Sequence, residues 1–184
     1  MRRSPEGRKD VLRVLLTHDD TFLALFLEAK REAFHLEVKD AYYTPEYEPL
    51  RKYLADEPED YGWFQPWLNH VRETTGRGVA VNRARIVSVP HNDYTSYAKH
   101  VARLNVEAGE DVRYLPRHLI DPADLTTDDW WIFDDAVVAF TLFEPSGRWV
   151  GGAVTTDPRI VEYIRAVKER VWSTAVPLAE YNQQ

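Results

Sequence analysis

Between Val79 and Val89 the chain alternates with a period of two. Val79, Val81, Arg83, Arg85, Val87 and Val89 fall on one side, and Ala80, Asn82, Ala84, Ile86 and Ser88 on the other. Apolar groups occupy both sides toward the end of this run, the pattern of a central strand covered on both faces. Pro90 stops it. Asn92 or Asp93 then offers a cap to a helix whose Tyr94, Tyr97, Ala98, Val101 and Leu104 share one side. Gly109 ends that helix, and EDVRYLP reads as a second strand. The stretch from Arg83 to Pro116 is therefore a complete βαβ crossover, right-handed if its strands are parallel neighbours.

The flanking segments follow the same two periods. Asp19 or Asp20 caps a helix carrying Phe22, Leu25, Phe26 and Ala29 on one face. At Phe34 the period drops to two: Phe34, Leu36 and Val38 alternate with His35, Glu37 and Lys39, which predicts a strand with one polar face. EPLRKYLADE is a short amphipathic helix with Pro49 in its first turn, and a further helix starts at Pro66 and ends at Gly76 and Gly78. Pro116 to Asp128 is a polar connection long enough for a functional loop. Trp130–Asp134 and Ala136–Phe143 make one bent strand or two short ones, broken at Asp134-Asp135. PSGR is a tight turn with Gly147 free to take positive φ, and WVGGAVTT returns antiparallel, its Gly151-Gly152 pair marking a bulge or a close backbone approach. Asp157 caps a last helix with Pro158 at its first position, and its stripe of Ile160, Tyr163, Ile164, Val167, Val171 and Trp172 packs on the sheet.

The resulting expectation is an α/β fold, with α+β as the variant. A mixed sheet is built on the βαβ unit plus a C-terminal antiparallel hairpin, with N-terminal helices and a long C-terminal helix packed on it. Residues 1–16 read as a disordered basic lead-in and residues 17–184 as one domain, helix-rich over 17–78 and sheet-rich over 79–184. A chain of 184 residues is long enough to bury one sizeable core.

Charge and composition narrow the chemistry. No apolar run approaches the length of a membrane span, and no signal-type stretch follows Met1. There is no cysteine, which removes disulfides, thiolate metal sites and a cysteine nucleophile and fits a cytoplasmic setting. A formal net charge of −7 argues against nucleic acid as a general partner.

Arg83 and Arg85 share a strand face, and Arg113 lies on the expected neighbouring strand, so two guanidinium forks could converge on a carboxylate or phosphate at the carboxyl ends of the strands. The plainer alternative is a set of surface ion pairs with Glu37, Glu110, Asp129 and Asp134. The six histidines (His18, His35, His70, His91, His100 and His118) follow no metal-ligand spacing, so no metal or cofactor is expected. His91 and His118 each follow a strand and are the candidate acid/base histidines. Asp134 is the candidate carboxylate. No nucleophile elbow, Walker loop or GxGxxG is present. An aromatic set, Tyr42, Tyr43, Tyr47, Trp63, Trp67, Trp130 and Trp131, suits either core packing or a wall between the helical and sheet portions. Expected ligand contacts are Glu37, Tyr42, Arg83, Arg85, Tyr94, Arg113 and Trp131.

The segments LEVKDAYY, GRGVAVNRARIVSVP, YTSYAKHVARLNVEAGEDVRYLPR and DDWWIFDD together resemble an uncharacterised actinobacterial family often encoded beside Xre-type helix-turn-helix regulators and BldB-like proteins. The resemblance implies a genomic setting and no activity. The second half also resembles, by order of elements, catalytically degenerate phospholipase D-like domains. Active members carry H-x-K-x-x-x-x-D, and no histidine here is followed two places later by lysine. The expected function is a non-catalytic sensory or interaction module that binds an anionic small molecule or a partner such as a helix-turn-helix regulator. The alternative is an enzyme acting on an anionic substrate through a histidine and a carboxylate. The sequence leaves oligomeric state open.

Overall fold

A computed structural model describes residues 16–17, 19–42, 47–146 and 148–181. The lead-in before Leu16, His18, Tyr43 and the turn residue Gly147 lie outside these, as do the side chains of Asp19 and Asp20. The strands are β1 (Leu16–Thr17), β2 (Glu32–Glu37), β3 (Ala80–Val87), β4 (Asp111–Pro116), β5 (Trp130–Phe133), β6 (Val137–Phe143), β7 (Trp149–Thr155) and β8 (Val176–Pro177). The helices are α1 (Asp19–Glu28), α2 (Glu48–Leu54), α3 (Gln65–Gly76), α4 (Asp93–Glu107) and α5 (Pro158–Thr174). Among the described residues the strands form one mixed sheet in the order β1-β7-β6-β5-β2-β3-β4-β8.

The βαβ unit is as expected: β3 and β4 are parallel neighbours joined through α4, whose Asn92 cap accepts from Thr95 N at 2.7 Å. The parallel core extends to β2, which pairs with β3 and is flanked on its other side by antiparallel β5. The strand predicted with a polar face is thus central, and both of its faces are buried. Trp130–Phe143 resolves into two strands. Asp134 and Asp135 both take positive φ (53° and 56°) in the three-residue connection between paired Phe133 and Val137, where Ala136 N donates to Phe133 O at 2.9 Å, a turn whose hand matches the twist of its strands. The predicted bulge appears where the β6–β7 register shifts beside Leu142, opposite Gly151 at φ 136°.

Side-chain parity divides the sheet into two covered faces. Phe34, Leu36, Ala84, Ile86, Leu115, Trp130 and Ile132 meet Val161, Ile164, Val167 and Val171 of α5. Within the predicted α5 stripe, Tyr163 is exposed and Val161 takes its place against the sheet, a shift of the buried arc toward the helix start. The opposite face is covered by α1, α3 and α4. Phe26 of α1 and Ala29, the residue after its end, pack on Ala33, Val81, Trp131 and Phe133. Ala102 of α4 packs on Val87, Val112 and Tyr114, and α2 lies on α4 through Leu50, Tyr97 and Val101. No helix among the described residues is long and apolar enough to cross a membrane.

Candidate functional site: a buried ladder of charge

Register places His35 beside Arg83 and Glu37 beside Arg85, with Trp131 across from His35 and Tyr114 across from Arg85. In-register neighbours project from one face, so these six side chains line the sheet under the α1–α4 layer. The two arginines, His35, Glu37 and Glu110 are all buried.

Glu37 is the hub. Arg83 Nη1 donates to its Oε1, Arg85 Nη2 lies 2.5 Å from its Oε2, and His35 Nδ1 sits 3.5 Å from Oε1. Arg83 also donates through Nε to Glu110 at 2.6 Å, and its guanidinium rests near the rings of Trp67 and Trp131 at 5.9 and 5.8 Å. His35 stacks on Trp131 with ring centroids 4.2 Å apart and planes 10° from parallel.

The protonation states follow from these neighbours. Burial would lift the Glu37 carboxyl, but Arg85 and Arg83 reverse the direction and hold it at about 2. Burial, reinforced by Arg83, drives His35 well below its ordinary value, so the ring is neutral at pH 7. Burial opposes the charge on both arginines, yet Glu110 and Glu37 keep Arg83 ionised and Glu37 does the same for Arg85. Burial pushes Glu110 up against the pull of Arg83. The ladder is therefore a nearly balanced set of opposite charges in a buried layer. Its spare hydrogen-bonding capacity is specific: Arg85 Nε, both His35 nitrogens and the Tyr114 hydroxyl have no hydrogen-bond partner among the described residues.

At the carboxyl ends of the parallel strands the ladder meets a half-buried aromatic rim. Tyr42 lies 5.8 Å from Tyr94 and 5.3 Å from Phe143, ring to ring, and Lys39 Nζ approaches Phe143 at 5.4 Å. Asp129 closes this end. Its Oδ1 accepts from Val38 N at 2.7 Å, and burial, with Glu37 adding repulsion, pushes its carboxyl up to about 6.

Glu37, Tyr42, Arg83, Arg85, Tyr94 and Trp131 are thus gathered on one face. Arg113 is not. It pairs in register with Ala84, whereas Arg83 and Arg85 face Val112 and Tyr114, so its side chain leaves from the opposite face. There it stacks on Trp172 of α5 at 3.8 Å and pairs with Asp111 at 3.0 Å. The expected convergence of Arg113 with Arg85 is corrected by this parity.

The three candidate acid/base residues do not meet. Asp134 sits in the β5–β6 turn at the amino ends of the parallel strands, where its carboxylate accepts from Lys30 N, Arg31 N and Glu32 N at 2.7–3.0 Å. That is a scaffold bond between turn and strand. His91 bonds the Tyr181 hydroxyl at 2.8 Å and stacks on that ring, while His118 is exposed in a 3-10 turn (Arg117–Leu119) after β4. Sequence reasoning passed over His35, Glu110 and Asp129 as site members. The available signal was the His-x-Glu spacing on one strand facing Arg-x-Arg on another, which brings matched charges onto one face if both faces are covered. Among the described residues no group of three or more metal-binding side chains is assembled.

The architecture defines a class: an α/β domain with a three-layer core and a charge ladder buried under one layer. The chain belongs to the family described as Domain of unknown function (DUF6879), which matches residues 20–183. No curated protein matches it. Its fold is similar to that of Nuc, a phospholipase D family member from Salmonella typhimurium, with a TM-score of 0.53 and 13% identity over 85% of this chain and 88% of that one. A weaker likeness, TM-score 0.45 and 14% identity over 85% of this chain and 48% of that one, is to TrmBL2, an archaeal chromatin protein.

Proposed function

We propose that this protein is a non-catalytic sensory or interaction module that takes an anionic group at the buried ladder and thereby modulates a transcriptional regulator. The observation that supports this reading is Arg85, a buried guanidinium shared with Glu37 whose Nε has no hydrogen-bond partner among the described residues. An entering carboxylate or phosphate would compete with Glu37 for the forks of Arg83 and Arg85, with Tyr42 and Tyr94 at the mouth. Loss of the Glu37 contact would release the link between β2 and β3 beside the α1–α4 layer, a local event a partner protein can sense. The partner in this reading is the helix-turn-helix regulator that actinobacterial members of the family would be encoded beside, in the cytoplasm.

Glu37→Gln supplies the test. Removing the hub anion leaves the buried Arg85 guanidinium unmatched and Arg83 with Glu110 alone, and should cost about 3–5 kcal/mol of stability. Phosphate, sulfate and small carboxylates, measured by thermal shift at matched ionic strength, should then raise the melting temperature of Glu37→Gln more than that of the wild type. An anion response no larger than that of chloride in both proteins would sink the proposal. In pull-downs of the adjacent regulator, the wild type should retain it and Arg85→Ala, checked for folding by circular dichroism, should not.

The enzyme alternative has one observation in its favour, the Asp129 carboxyl held at about 6 beside Glu37. In that reading Asp129, in place of Asp134, would be the acid/base at the carboxyl ends of the strands.

A further inference from the structure

A cavity lies on the outer side of the helical layer, away from the ladder. It occupies about 240 Å³ between α2, the loop through residues 56–61 and α4. Tyr53, Tyr61, Tyr97 and His100 line it together with Asp56, Glu57 and Glu59. No lysine or arginine is among its walls. The rings are set at angles to one another: Tyr53 meets Tyr97 at 5.5 Å with planes 58° apart, and meets the ring of His100 at 5.2 Å. Tyr97 is the buried member of the set. His100 Nε2 is bonded to the Tyr61 hydroxyl at 2.8 Å, and burial followed by Arg103 keeps that imidazole below its ordinary value, so the wall stays uncharged there at pH 7.

The charge balance is informative. Glu57 is held by both terminal nitrogens of Arg51 at 2.7 and 2.8 Å, and Glu59 by Lys52 at 3.1 Å. Asp56 forms no ion pair among the described residues. Arg51 is shared with Glu48 at 2.8 Å and Arg103 lies 3.1 Å from the His100 ring, so among the described residues four carboxylates face three cations around this partly aromatic pocket, and Asp56 is the one without a paired cation. Ring faces carry the negative end of the quadrupole, so such a pocket attracts a soft cation and repels an anion. A neutral apolar guest would gain contact area alone.

We infer that this cavity binds a small organic ammonium ion, its charge seated against the Tyr53 and Tyr61 rings and balanced by Asp56. The site is independent of the anion reading of the ladder, which it neither requires nor supports. Its test uses tetramethylammonium chloride, with sodium chloride at equal ionic strength as control and tert-butanol as the neutral isostere. Binding is followed by the NMR shifts of the tyrosine ring protons. Tetramethylammonium should produce saturable shifts at Tyr53 and Tyr61, with tert-butanol weaker by about tenfold or more. Asp56→Asn keeps the fold, because asparagine tolerates the positive φ of 52° at this position. It should weaken tetramethylammonium binding about fivefold and flatten its salt dependence. Tyr53→Leu, which keeps apolar contact and loses the ring face, should weaken the cation and leave tert-butanol unchanged. Equal affinity for the alcohol, no effect of either variant, or no saturable shift with the cation would each overturn the assignment.

Discussion

Glu37 and Asp129 are two carboxyls at one end of one strand pair, and their surroundings push them apart. Arginines hold Glu37 at about 2, while burial lifts Asp129 to about 6. The signs of their contributions to stability are opposite. Glu37 is depressed below its ordinary 4.5, so its contribution is present above pH 4.5 and lost as pH falls toward 2. Asp129 is raised above its ordinary 3.8, so the folded state takes up its proton first; the charged form penalises folding above pH 6, and the penalty fades as pH falls toward 3.8. Asp129→Asn removes that penalty and retains an oxygen for Val38 N. It should be more stable than the wild type in urea unfolding at pH 7.5, with the advantage gone by about pH 4. A constant difference across that range would mean that Asp129 does not titrate in the folded protein. At this scale the sequence was partly legible. The parity of Arg83 and Arg85 is local and could be read directly, whereas the neutrality of His35 and the elevation of Asp129 depend on burial supplied by segments from elsewhere in the chain.

Among the elements, the hairpin turn at Asp134-Asp135 carries more of the structure than its length suggests. Two consecutive residues with positive φ fix the twist of β5 on β6, and the Asp134 carboxylate gathers three backbone N–H groups at the start of β2. Asp134→Ala loses those bonds and places alanine in a left-handed conformation. Destabilisation of about 2 kcal/mol or more is expected, with the anion response of the ladder intact. A folded variant of unchanged stability that loses ligand response would restore Asp134 as a functional carboxylate. The break at Asp134-Asp135 was visible in the sequence as an interruption of the strand pattern. Its role was not, because three of its bonds reach Lys30, Arg31 and Glu32, about a hundred residues away along the chain.

For the molecule as a whole, the sheet separates two arginine environments. Arg83 and Arg85 are enclosed with Glu37 under the α1–α4 layer, and Arg113 ties β4 to α5 through Trp172. Arg113→Leu should cost about 1 kcal/mol, the scale of one cation–π contact, and leave anion-induced stabilisation of the ladder untouched. Loss of that response in a folded Arg113 variant would contradict the separation of the faces. The sequence by itself determined the βαβ crossover, a cap at Asn92 or Asp93 and one at Asp157, and the sharing of one face by Arg83 and Arg85. These follow from backbone periods of 3.6 and 2 and from capping chemistry within a few residues. Only the tertiary structure decided that Glu37 lies between those arginines, that the polar side of β2 is covered, and that Arg113 points the other way. Those outcomes depend on strand register and on which layer covers which face, and a shift of one residue between β3 and β4 would have turned Arg113 into the ladder.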